Sequence, residues 1–255
     1  MCLILFAWRM HENFPLVLAA NRDEFYERPS APAAFWQDAP DLLAGRDLRE
    51  GGTWLGITRT GRFAAVTNYR DPASLKIGAP SRGKLVSDYL RGRETPGAYI
   101  NRIKHDANCF NGFSLLVGDP ARLFYFSNRG AAQRLKSGIY GLSNRLLDTP
   151  WPKVEQGKTA FLALLKEKKG LSREALFDLL ADRTRSPDDR LPDTGVGLAW
   201  ERILSSLFIE SPVYGTRSST VLLIDRMRCV TFTERVFNGK EDPRTTRFTF
   251  RITGK

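Results

Sequence analysis

The chain has 255 residues, 42% hydrophobic and 26% charged, a share of apolar side chains that can build a sizeable core and excludes disordered, collagen-like and low-complexity classes. Its 39 Lys and Arg against 28 Asp and Glu give a net charge of +11, but the basic residues are scattered and no helix-turn-helix, zinc-finger or aromatic RNA-binding pattern accompanies them. An anionic small molecule is therefore the expected partner, and nucleic acid is disfavoured. The three cysteines, Cys2, Cys109 and Cys229, are odd in number and lack metal-ligand spacing. They argue against a disulfide framework or a metal site and for a reducing, cytoplasmic setting. No stretch reaches the ~18–20 apolar residues of a membrane-spanning helix. The opening run Leu3–Trp8 is too short for a secretory signal and lacks a basic region before it.

Leu3–Trp8 and Leu16–Ala20 are apolar runs around a polar turn at His11–Asn13, a hairpin-like start. Thr53–Thr58 and Phe63–Asn68 flank a turn with Gly61, and Phe113–Val117 and Leu123–Ser127 flank Gly118-Asp119-Pro120. Gly138–Ser143, Ser219–Asp225 and Arg228–Val236 are further strands, and Phe248, Phe250 and Ile252 alternate with polar residues in a final one. Helices are expected over Lys84–Leu90 and Ala98–Lys104, after the cap Asp148-Thr149-Pro150, over Ser172–Leu180, and along the stripe Trp200, Ile203, Leu204, Leu207, Phe208. Strands and helices thus come in separate blocks, which favours stacked antiparallel sheets with helices outside over a parallel βαβ sheet. No repeat or linker divides the chain, so a single domain over residues 1–255 is expected.

Cys2 is the first chemical candidate. If Met1 is removed, one residue carries both a thiol and an α-amine of pKa ~7.7–8.0, a nucleophile and a base without any histidine. The competing reading is a buried thiol opening an apolar strand. Asn21-Arg22-Asp23-Glu24 packs three charges behind an apolar strand; Asp23 could hold the Cys2 amine, while Arg22 and Glu24 could line a site or form an ion pair. Asn68 and Asn144 each follow an apolar run, where a side-chain amide can donate to a developing oxyanion or simply shape a turn. Arg217, at the entrance to the strand after Tyr214-Gly215-Thr216, suits a carboxylate or phosphate or else is solvated. Trp54 and Trp151 are read as core anchors beside the site, and Gly51-Gly52 as a tight turn.

Together Met1-Cys2, Asn21-Arg22-Asp23-Glu24, Gly51-Gly52-Thr53-Trp54-Leu55-Gly56, Val66-Thr67-Asn68-Tyr69-Arg70, Gly141-Leu142-Ser143-Asn144, Leu147-Asp148-Thr149-Pro150-Trp151 and Tyr214-Gly215-Thr216-Arg217 resemble the NRDE family, also called the transport and Golgi organisation family. The resemblance implies an N-terminal-nucleophile hydrolase-like fold, a four-layer αββα sandwich of class α+β. It also implies an activity like that of cholylglycine hydrolases and penicillin V acylases, which cleave non-peptide amide bonds. Cys2 would be the nucleophile, Asp23 would orient its amine, Asn68 and Asn144 would support the oxyanion, and Arg217 would match a late active-site arginine. Asn21, Arg22, Glu24, Arg46, Trp54, Tyr69 and Arg70 would bind an acyl or anionic substrate. One departure stands out: those hydrolases carry an arginine three residues before the aspartate, where this chain has Ala20.

The same family is associated with haem trafficking and acyl-lipid homeostasis. The alternative function is therefore a non-catalytic haem- or acyl-lipid-binding protein on the same fold. No resident cofactor is expected. Haem as a ligand would draw on Cys2, Met10, His11 or His105 for its iron and on Arg22, Arg46, Arg70 and Arg217 for its propionates.

Overall fold

The computed structural model describes residues 2–167, 170–239 and 242–254. Strand β1 (Cys2–Trp8) is buried along its whole length, and β2 (Leu16–Phe25) through its first six residues, which explains their uninterrupted apolar sequence. β2 runs past Ala20, so Asn21–Glu24 belongs to the strand and not to a loop after it. β3 (Ser30–Trp36) and β4 (Ala39–Asp47) follow, neither expected from the sequence, and then β5 (Leu55–Thr58) and β6 (Phe63–Asn68) form the anticipated hairpin. Helices α1 (Gly83–Arg91) and α2 (Pro96–Ile103) precede β7 (Phe113–Gly118), β8 (Leu123–Ser127), β9 (Gln133–Arg134) and β10 (Gly138–Leu142). The remaining elements are α3 (Pro152–Leu165), α4 (Arg173–Leu180), α5 (Leu198–Ile203), β11 (Tyr214–Ile224), β12 (Cys229–Val236) and β13 (Arg244–Arg251).

Contacts group the chain into two compact units. The first comprises residues up to Glu27, Ser137–Ser143 and Leu147–Thr249; the second comprises Arg28–Lys136, Asn144–Leu146 and the residues from Phe250 on. In the first, the six-stranded sheet has the order β10-β1-β2-β11-β12-β13. One face of it (Leu3, Leu5, Ala7, Val17, Ala19, Val221, Leu223) packs against Val154 and Phe161 of α3 and Leu176, Phe177 and Leu180 of α4. Each such side chain contributes on the order of 1.5–3 kcal/mol on burial. Helix α4 is capped by Ser172 as expected, its hydroxyl accepting from Ala175 N–H at 3.4 Å. α3 starts later than expected, with Trp151 as N-cap and Pro152 at the first turn.

α5 stops at Ile203, short of the stripe that reaches Phe208. Ser205 and Ser206 sit where the next turn would form, and their hydroxyls donate to Arg202 O (2.8 Å) and Phe208 O (2.6 Å) instead. Leu204, Leu207 and Phe208 are buried all the same. The apolar pattern reported burial, not helix.

In the second unit the seven-stranded sheet runs β3-β4-β5-β6-β7-β8-β9 in chain order. α1 and α2 cover it through Leu85, Val86, Tyr89, Tyr99 and Ile100, which pack on Ala64, Val66, Phe113, Leu115 and Val117. The buried tyrosine hydroxyls are satisfied, Tyr89 donating to Gly118 O (2.9 Å) and Tyr99 to Leu85 O (2.7 Å). Gly51 adopts φ +74° in the turn after β4, and a Cβ on Gly52 would come within 2.7 Å of the Gly83 backbone, so both glycines serve the backbone path. β3 lies at one margin of the sheet, carries Pro32, and breaks register with β4 between Ala31 and Ala34 and between Phe35 and Trp36. At the other margin β9 is two residues long and exposed. Among the described residues no helix is long and apolar enough to cross a membrane.

Candidate functional site

Three neighbouring strands converge on Cys2. In the β1–β2 ladder Cys2 lies opposite Arg22, and in the β2–β11 ladder Arg22 lies opposite Ser218. Residues directly opposed across an antiparallel ladder leave the sheet on the same side. Cys2, Arg22 and Ser218 therefore form one row on one face. Asn21 and Asp23 point to the other face, the one covered by α3 and α4. Ala20 shares the face of Arg22, two residues along the strand, so an arginine is present on the expected side but directly across from the thiol.

Cys2 is 8% exposed. Burial pushes its thiol pKa above the ordinary value, and the Asp23 carboxylate adds to the rise. The Asp23 backbone N–H, hydrogen-bonded to the sulfur, and the Arg22 guanidinium act against it. Met1 lies outside the described residues. Ser143 Oγ donates to Cys2 O at 3.2 Å, tying the start of β1 to the end of β10. Arg22 stands 3.9 Å from Glu24 through Nη2, whereas its buried Nη1 has no hydrogen-bond partner among the described residues. A buried N–H left in that state is rare and calls for a functional reading.

Asp23 is buried and accepts from Thr216 Oγ1 at 2.7 Å; the same hydroxyl oxygen accepts from Ile209 N–H at 2.9 Å. Burial raises the carboxyl pKa, opposed first by Lys153, whose ammonium is itself buried and donates to Leu204 O at 3.1 Å. Thr216 reaches Asp23 because of a bulge. Thr216 pairs with Asp23 and Ser218 with Arg22, leaving Arg217 as the extra residue. Arg217 donates to the carbonyls of Phe25 (3.0 Å) and Tyr26 (3.1 Å), and burial followed by the charge of Arg22 lowers its pKa. The sequence singled out Arg217 but not its neighbours Thr216 and Ser218, and nothing in the sequence marked Lys153.

Asn21, expected to bind substrate, is tied into the framework. It is fully buried, donates to Leu180 O (2.8 Å) and Leu207 O (2.9 Å), and accepts from Ser219 Oγ (2.6 Å). Glu24 accepts from Phe25 N–H at 3.0 Å.

The second unit brings Asn68 and Asn144 together. Asn144 is fully buried and donates from Nδ2 to Asn68 O at 3.0 Å, while Arg70 N–H donates to Asn144 O at 2.7 Å. Tyr69 N–H donates to Gly112 O (2.9 Å), and its ring lies 4.8 Å from the Arg145 guanidinium. Arg70 is buried, and Trp54 packs half-buried against the core of the unit. Arg46 grips Asp38 at 2.8 and 3.0 Å, shares it with Arg91, and lies 4.3 Å from the Trp36 ring.

Within the first unit, Met10 and His11 lie apart from the thiol. Met10 and His11 sit in the β1–β2 turn, and the strand length puts Cys2 about 20 Å away at the other end of the hairpin. His11 Nδ1 already accepts from Asn13 N–H at 3.1 Å, Met10 is exposed, and His105 is an exposed residue of the second unit. Among the described residues no group of three or more His, Cys, Asp or Glu could hold a metal ion.

Among solved structures the chain resembles the C2A mutant of a conjugated bile acid hydrolase from Clostridium perfringens, with a TM-score of 0.52 over 99% of this chain and 97% of that one; at 8% identity the likeness is one of fold. It is 38% identical over 275 residues to the Transport and Golgi organization protein 2 homolog of Bos taurus, covering 99% of both chains. It is 37% identical to the homolog of Homo sapiens, covering 98% of this chain and 99% of that one. Residues 1–239 match the family model described as Transport and Golgi organisation 2, and the chain belongs to that family.

Proposed function

We propose that the chain is a thiol hydrolase that cleaves a non-peptide amide bond of a small acyl or anionic substrate, with Cys2 as nucleophile after removal of Met1. The observation that carries this reading is the placement of the Cys2 thiol directly across from Arg22, whose buried Nη1 lacks a partner among the described residues, with Asp23 next along the strand. In the proposed reaction Sγ attacks the amide carbonyl and the thiol proton passes to the α-amine of Cys2. The C–N bond then breaks, the amine leaves with that proton, and water hydrolyses the thioester. A thiol kept protonated by burial needs such a base at the moment of attack. Asp23 holds the amine, and Arg22 Nη1 donates to a carboxylate or carbonyl oxygen of the substrate. Donation to the oxyanion by Asn68 and Asn144 belongs to the same proposal and rests on the sequence.

Intact-mass spectrometry of the purified chain, before and after incubation with a panel of N-acyl substrates, tests the reading. The expected result is loss of Met1 and an acyl adduct that Cys2→Ala abolishes. A chain that keeps Met1 and forms no adduct overturns the hydrolase and leaves a binding site.

A further inference from the structure

The loop between β6 and α1 carries two exposed apolar side chains: Leu75 is 64% exposed and Ile77 entirely so. They are not on a slack segment. Asn111 clasps the backbone of the residue between them, Lys76 N–H donating to Asn111 Oδ1 at 2.7 Å and Asn111 Nδ2 donating to Lys76 O at 3.1 Å. Lys76 Nζ adds a bond to Asn108 O. Three guanidinium groups are tied to the same surface. Arg129 donates to Ser74 Oγ and lies 3.5 Å from Asp71, Arg82 donates to Gly112 O at 3.0 Å, and Arg145 covers the ring of Tyr69, whose backbone N–H donates to Gly112 O.

From this juxtaposition we infer that the Leu75–Ile77 loop is a docking surface for an anionic lipid bilayer, the two apolar side chains entering the interface and Arg82, Arg129 and Arg145 meeting headgroup phosphates. Two side chains cannot supply the ~1,000 Å² that a stable protein interface needs. A reversible contact with a membrane surface needs only a small apolar insertion supported by nearby cations. The inference is independent of the chemistry at Cys2.

Flotation of the full chain with phosphatidylcholine vesicles, with and without phosphatidylserine, tests it. Expected are binding to the phosphatidylserine vesicles that weakens as salt is raised, and at least a tenfold loss of binding in Leu75→Asp/Ile77→Asp. The exposed Leu48→Asp, a control in the turn after β4, should bind as the parent does; the substituted positions are all at the surface, so an unchanged Tm verifies folding. No preference for phosphatidylserine, undiminished binding by the double variant, or no vesicle binding at all overturns the proposal. Equal competition by inorganic phosphate at matched ionic strength also overturns it, leaving a site for free phosphate.

Discussion

Cys2 and Arg22 oppose each other across the β1–β2 ladder, and the guanidinium restrains the rise in thiol pKa that burial causes. Cys2 should therefore react with iodoacetamide only as pH climbs above the ordinary thiol range of ~8.5. Arg22→Met should move the midpoint higher still. The same change should leave stability unchanged or raised by about 1 kcal/mol, because it removes a buried cation whose hydrogen bonds are incomplete. Peptide-resolved alkylation across pH checks this. A midpoint that falls in Arg22→Met would contradict it.

Asp23 should be a functional residue held at the expense of the fold. A carboxyl whose pKa is raised in the folded state favours folding while protonated. That contribution is complete below the ordinary value of 3.8 and is lost as pH rises through the folded value. Asp23→Asn keeps the Oδ1 acceptor for Thr216 and should raise stability at neutral pH, with the difference vanishing at acid pH. Urea melts at several pH values measure it, alongside loss of any acyl adduct. A variant less stable than the parent at neutral pH would refute the argument.

Asn21→Leu should destabilise the first unit by about 3 kcal/mol or more, since Leu180 O, Leu207 O and Ser219 Oγ each lose a buried partner worth ~1–3 kcal/mol. The urea midpoint reports it, and a loss under about 1 kcal/mol would mean that those groups find other partners.

Gly215→Ala should cost about 1–3 kcal/mol through overpacking. Its Cβ would approach Ile209 O to 2.7 Å and the Tyr26 hydroxyl to 2.2 Å, and the Ile209 carbonyl belongs to rigid backbone. A thermal melt indistinguishable from the parent's would show that this start of β11 yields.

The hairpins β1–β2, β5–β6 and β7–β8 are legible in the sequence because apolar runs stop at turn residues on both sides. β3 and β4 are not, because Pro32 and Asp41 interrupt the pattern and most residues of each strand are only partly buried or exposed. At the candidate site Cys2, Arg22, Asp23 and Arg217 stand out in the sequence while Thr216, Ser218 and Lys153 do not, and the directions of the side chains are not legible at all. Period-two alternation alone would put Thr216 and Ser218 on one face, and the bulge at Arg217 instead sends Thr216 to Asp23 while Ser218 stays with Arg22. Asn21 reads as a polar site residue until the carbonyls of Leu180 and Leu207, far along the chain, are seen to need its amide.

The margins of the seven-stranded sheet bear on how the molecule behaves when crowded. Pro32 withholds a main-chain donor and the two irregular steps in β3 interrupt its ladder, while β9 is too brief to seed a match. Neither border offers a template on which a neighbouring chain could add a strand, so this sheet resists growth into aggregates at high concentration.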